Sequence, residues 1–179
     1  MNKKTKNNIK RRYDTLNERA STLIGKRLTE VAYHDGVDDL GIAFYTIDPF
    51  SPHRHELMQG VDLIVHDNSI VGFYWEWWRN DYELGINTSG VHSVLKSNLP
   101  VFDPSQDVHW NGRIGKTITD VTITLHQYNF LCDCRISFDD ANPVWICARN
   151  AEECTLNGDD IILVFTEQEA KRIGIDVNA

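Results

Sequence analysis

The sequence predicts an α+β protein in which sheet dominates: an N-terminal amphipathic helix followed by two degenerate repeats of a mainly antiparallel β-sheet unit, each closed by a short helix. Three observations lead there. Ile9, Tyr13, Leu16, Ala20 and Leu23 follow one another at steps of 4, 3, 4 and 3, the stripe of a helix that buries one face. An eight-residue segment, Ile24-Gly25-Lys26-Arg27-Leu28-Thr29-Glu30-Val31, returns ninety residues later as Ile114-Gly115-Lys116-Thr117-Ile118-Thr119-Asp120-Val121. Elsewhere the apolar residues alternate with polar ones at a period of two.

The organisation follows from these signals. Residues 1–23 form the helix, with Lys10, Arg11, Asn17 and Glu18 off its apolar stripe. Residues 24–98 form the first β-rich repeat and residues 113–179 the second. Residues 99–112 (LPVFDPSQDVHWNG), with two prolines and a glycine, read as the connection. The first repeat is longer between matching points, so an insertion is expected near 47–60, and Pro49 and Pro52 argue that it is a loop. In the second repeat Val121, Ile123 and Leu125 alternate with threonines and His126. Phe130, Cys132, Cys134, Ile136 and Phe138 do the same on the next strand. Ile161 to Phe165 is apolar on both faces, as a central strand requires. Thr166 and Glu169 make a capping box that opens a short helix ending near Gly174. Later matches between the halves pair Val65-His66-Asp67-Asn68 with Ser137-Phe138-Asp139-Asp140, and residues 84–88 with 162–166.

A chain of 179 residues, 41% hydrophobic and 25% charged, is of a size and composition to bury a core. No apolar run reaches the ~18–20 residues of a membrane span. The basic start lacks the apolar stretch of a secretory signal, and four cysteines are too few for a disulfide scaffold, so a cytoplasmic location with reduced thiols is expected. The net charge of −8 is unevenly spread: residues 1–22 carry +5 and the rest −13. An acidic body repels nucleic acid and attracts cationic partners. It serves solubility equally well.

Catalytic signatures are missing. The chain has no GxSxG, P-loop, GxGxxG or HExxH motif, and no cofactor is implied. Cys132 and Cys134 fall on the core face of their strand, and C-x-C is not the spacing of common structural zinc sites. One cluster keeps a metal-dependent enzyme or binder open as the alternative: His53, His55 and Glu56 in the insertion. The run Phe73-Tyr74-Trp75-Glu76-Trp77-Trp78 is richer in aromatics than its counterpart Val144-Trp145-Ile146-Cys147-Ala148-Arg149. Tryptophan and tyrosine carry much of the energy at protein interfaces, and packing between the halves would use them too.

In overall character, a small acidic α+β chain with a Lys/Asn-rich start, a degenerate duplication and no catalytic motif resembles bacterial immunity proteins of the contact-dependent growth inhibition and polymorphic-toxin type. The resemblance implies stoichiometric binding to a cognate toxin domain, often a basic nuclease, with no reaction of its own and no membrane or nucleic-acid partner. On that reading Asp35, Asp38 and Asp39 supply the acidic part of the surface, and Tyr74, Trp75, Trp77 and Trp78 its aromatic anchors.

Overall fold

A computed structural model describes residues 3–37, 39–43, 52–78, 81–95, 99–125, 132–150 and 155–177. Helix α1 (Lys3–Ser21) comes first. The first half continues with β1 (Leu28–His34), β2 (Arg54–Leu57), β3 (Gly60–Val65), β4 (Ile70–Trp78), β5 (Asp81–Asn87) and the one-turn α2 (His92–Leu95). The connection holds β6 (Val101–Phe102) and α3 (Val108–Asn111). The second half adds β7 (Ile118–Leu125), β8 (Cys132–Phe138), β9 (Ala141–Asn150), β10 (Thr155–Val164) and α4 (Glu167–Arg172).

The strands form two five-stranded antiparallel sheets, in the orders β5-β4-β3-β1-β6 and β2-β10-β9-β8-β7. Alternation along each strand supplies the core between them. Val31, Tyr33, Val61, Leu63, Phe73, Leu84 and Ile86 come from the first sheet, and Val121, Ile123, Cys134, Ile136, Ile146, Ile161 and Leu163 from the second. The strand apolar on both faces is accounted for: Ile162 and Val164 turn outward with Trp145 and Cys147 to meet Ala170, Ile173 and Ile175 around α4. Thr166 caps α4, its Oγ1 accepting from Glu169 N–H at 3.2 Å.

Two segments cross the boundaries read from the sequence. The insertion is not simply a loop. Arg54–Leu57 is a strand, and it leaves the first half to pair with β10 of the second sheet, His55 opposite Leu163 and Leu57 opposite Ile161. Pro52 precedes that strand, where a missing N–H interrupts no ladder. Conversely β6, from the connection, adds to β1 of the first sheet. One edge of each sheet is completed by chain from outside its own half.

The two matching segments adopt the same local structure. Gly25 and Gly115 sit at φ of +79° and +85°, a conformation that favours glycine, and each leads into a strand. Their hydrogen bonds are reciprocal at the ninety-residue spacing. Gly25 N–H donates to Ile118 O and Gly115 N–H to Leu28 O, both at 2.8 Å. Leu28 N–H donates to Lys116 O, and Ile118 N–H to Lys26 O. The register shift after Leu28 in β1 recurs after Ile118 in β7. Asn68 and Asp140, the matched ends of two later turns, both have positive φ.

Helix α1 buries Ile9, Leu16 and Ala20 of its stripe; it ends at Ser21, two residues short of the expected bound, and Leu23 is buried from the turn that follows. Its position also explains part of its basic face. Arg12 donates to Leu84 O at 3.0 Å and Arg19 to Ile86 O at 2.6 Å, on the edge strand β5. Tyr13 donates to Ile123 O at 2.9 Å on the other sheet's edge strand, β7. The helix therefore covers two edges whose carbonyls would otherwise invite another strand. Arg12 also meets Glu76, and Glu83 at 3.2 Å. The outer face of the first sheet is closed by the segment around Val91, which Asp62 holds down by accepting its N–H at 2.7 Å. Gly72 permits that close approach: a Cβ there would lie 2.5 Å from Val91 N and 2.6 Å from Asp62 Oδ1. Among the described residues no helix is long and apolar enough to cross a membrane.

Candidate functional site

Two regions collect chemistry. The first is one end of the first sheet. Strand register puts His34, Gly60, Tyr74, Gly85 and Val101 at one level. Beyond that level lie residues 35–37, Met58, Gln59, the end of β4 and the start of β5. Hydrogen bonds knit this end together. Trp75 Nε1 donates to Met58 O at 2.6 Å, Met58 N–H to Asp35 Oδ1 at 3.0 Å, and Asp35 N–H to Pro100 O at 3.4 Å. Of the large apolar side chains exposed among the described residues, Val37, Leu40, Ile42, Met58, Trp77 and Val101 belong to this end or to the loop leaving it. Trp77 is 59% exposed and Leu40 82%.

The residues singled out from the sequence divide here. Trp77 is a solvent-facing aromatic, and Asp39 is exposed beside Leu40. Trp75 is half-buried against the core. Two placements correct the expectation. Asp35 is fully buried and spends its carboxylate on Met58 N–H, so it shapes the loop instead of presenting charge. Tyr74 is buried too, its ring lying over Gly85, where a Cβ would approach it to 2.7 Å. A glycine on the neighbouring strand leaves no apolar signature in the sequence, so the burial of Tyr74 is not legible there. Burial and the neighbouring Glu76 both push its phenol pKa up. Asp38 and the Trp78 side chain lie outside the described residues.

The second region lies between β1, β2, α3 and the end of β10. His55 is buried on the core side of β2, where strand alternation separates it from Arg54 and Glu56. Those two pair with each other at 2.7 Å, and Arg54 approaches Glu169 of α4 at 3.8 Å. The expected trio of His53, His55 and Glu56 therefore does not assemble. His55 meets residues of the connection instead. Its Nδ1 is 2.8 Å from Tyr33 Oη, which also accepts from Trp110 Nε1, and its Nε2 is 3.8 Å from Asp107 Oδ2. Asp107 caps α3, Oδ1 accepting His109 N–H at 2.8 Å. His109 stacks on Phe165 with centroids 4.5 Å apart, and its Nε2 donates to Pro52 O at 2.7 Å. Ligand atoms of His55, Asp107 and His109 all lie within 4.8 Å of one another. His53 is exposed, its ring 6.2 Å from that of His109.

Beneath α3, Arg113 is buried among main-chain carbonyls, donating to those of Asn142 at 2.9 Å, His109, and Pro143 and Phe165 at 3.3 Å. Burial lowers its pKa to about 10, which leaves it cationic at neutral pH. At the ninety-residue spacing Trp110, Arg113 and Tyr33 correspond in sequence to Ala20, Leu23 and Ile123, all apolar. Sequence reading missed Tyr33, Asp107, His109, Trp110 and Arg113. The only local signal was Asp107 followed two residues later by His109 at a helix start.

Cys134 is buried with Ile136 and Phe138, as the alternation of β8 predicts, and Cys147 lies under α4. The side chain of Cys132, and residue Cys154, lie outside the described residues. A scan against protein-family models matches none, and comparison with curated proteins and with solved structures returns no similar protein.

Proposed function

We propose that the protein acts by stoichiometric protein–protein binding, as an immunity-type inhibitor of a cognate bacterial toxin domain of basic character. The observation that carries this reading is the gathering of exposed apolar side chains at one end of the first sheet, around Trp77, Met58 and Val101. Scattered single apolar residues need no explanation; several on one rim are a feature of interaction surfaces. The partner's sign comes from the charge of −13 outside the first helix, which steers a basic domain towards this chain and away from nucleic acid. The basic helix is a weak candidate for binding RNA, because Arg12 and Arg19 are engaged on the β5 edge.

The revised surface consists of Trp77 as anchor, Trp75 and Met58 as its support, and Asp39 as the exposed acid. Trp77→Ala speeds dissociation from the toxin domain encoded by a neighbouring gene, costing ~2 kcal/mol or more for a true hot spot. Unchanged kinetics in a folded Trp77→Ala protein would remove this surface from the account. We also read the two halves as a duplication. The reciprocal hydrogen bonds of Gly25 and Gly115 support that origin, and the exchange of β2 and β6 between sheets is then how the halves became one core.

A further inference from the structure

We propose that His55, Asp107 and His109 form a binding site for one zinc-type divalent cation, a clamp that joins the inserted strand β2 to helix α3. The donor set, two imidazoles and a carboxylate, is the kind that zinc takes when it keeps a position open for water. Both rings are oriented from behind, as ligand histidines are. His109 Nε2–H is held by Pro52 O at 2.7 Å, which leaves Nδ1 as the ring nitrogen with a lone pair. His55 Nδ1 faces Tyr33 Oη at 2.8 Å; in the tautomer that donates there, Nε2, 3.8 Å from Asp107 Oδ2, keeps its lone pair for a cation. Asp107 uses Oδ1 for the helix cap and turns Oδ2 towards His55.

One candidate ligand atom from each of the three residues lies within 4.8 Å of the others, and bonds of about 2.1 Å in a tetrahedral site place such atoms about 3.4 Å apart. Closing that gap takes side-chain adjustments of about 1 Å, with the ring plane of His109 guided by its stack on Phe165. His53 is exposed, its ring 6.2 Å from that of His109. The site shares no residue with the apolar end of the first sheet and does not depend on the partner-binding reading.

The test uses the full chain, stripped with a chelator and titrated with zinc chloride against a chromophoric competitor. Wild type takes up one ion per chain, and its thermal midpoint rises with zinc concentration. Asp107→Asn retains an acceptor for the α3 cap but loses the charge, and it weakens binding by ~100-fold or more, as His109→Ala does. Should His109→Ala fail to fold, Asp107→Asn with a native circular-dichroism spectrum decides alone. The inference is overturned by the absence of saturable uptake at one ion per chain. Uptake that persists with unchanged affinity in folded Asp107→Asn overturns it equally.

Discussion

Removing the Asp62 carboxylate tests the packing of the first sheet's outer face. Its Oδ2 accepts from His34 Nε2 and its Oδ1 from Val91 N–H, both at 2.7 Å, with Asp62 and His34 almost fully buried. Hydrogen bonds to a charged acceptor contribute about 1.5–3 kcal/mol each, so Asp62→Ala costs about 3–6 kcal/mol. The independent figure for breaking a buried pair by deleting one partner, about 3–5 kcal/mol, agrees. Asp62→Asn keeps an acceptor for Val91 and loses about half of that. In a chain of this size each kcal/mol moves the melting midpoint by about 2–4 °C, so Asp62→Ala lowers it by roughly 10 °C. Urea denaturation with an unchanged m-value gives the free energy directly. Hydrogen exchange at the Val91 amide gives the local consequence, because that segment is held through this bond. A loss below about 1 kcal/mol, or a Val91 amide equally protected in Asp62→Ala, refutes the reasoning. Gly72→Ala, which drives a methyl into the same contact, reproduces the defect without touching the charge.

Three further outcomes follow from the same structure. Asp67 is held well below the ordinary carboxylate value of 3.8 by the Ser69 hydroxyl and by Lys26 at 2.9 Å. A depressed acid stabilises the fold fully above its unfolded pKa, and that contribution is lost as pH falls below it, so Asp67→Asn makes the acid-unfolding limb shallower below about pH 4. Arg19→Met uncovers the Ile86 carbonyl on the β5 edge; it costs about 1.5–3 kcal/mol and introduces concentration-dependent association visible by light scattering. Trp77→Ala, by contrast, leaves the melting midpoint within the range set by about ±0.5 kcal/mol, as an exposed side chain should.

What the sequence reveals depends on how local the cause is. The stripe of α1, the alternation of β8, the two-faced apolar run of β10 and the capping box at Thr166 are set by neighbours within a few residues. All of them are present in the structure. Pairing across long separations leaves no such mark. Nothing within Arg54–Leu57 announces that β10, a hundred residues on, is its partner, and the prolines before it read as loop. The histidine cluster was invisible for the same reason, since His55 and His109 are brought together only by that crossover. Asp35 and Tyr74 show a further limit: composition offers an acid and an aromatic as surface groups, but a main-chain N–H and a cross-strand glycine bury them. Among the described side chains of the aromatic run, Trp77 is exposed because β4 runs past the end of β3, so its core-facing row continues into solvent.

The proposed function is stoichiometric inhibition through that end of the sheet. The most direct measurement titrates the toxin domain's activity with purified chain, wild type beside folded Trp77→Ala. Toxin activity is lost completely at one wild-type chain per toxin domain, and for Trp77→Ala the curve is displaced by ~30-fold or more in affinity, the equivalent of about 2 kcal/mol. Toxin activity that persists in excess wild-type chain would contradict the claim itself. Identical curves for the two proteins would contradict its placement at Trp77.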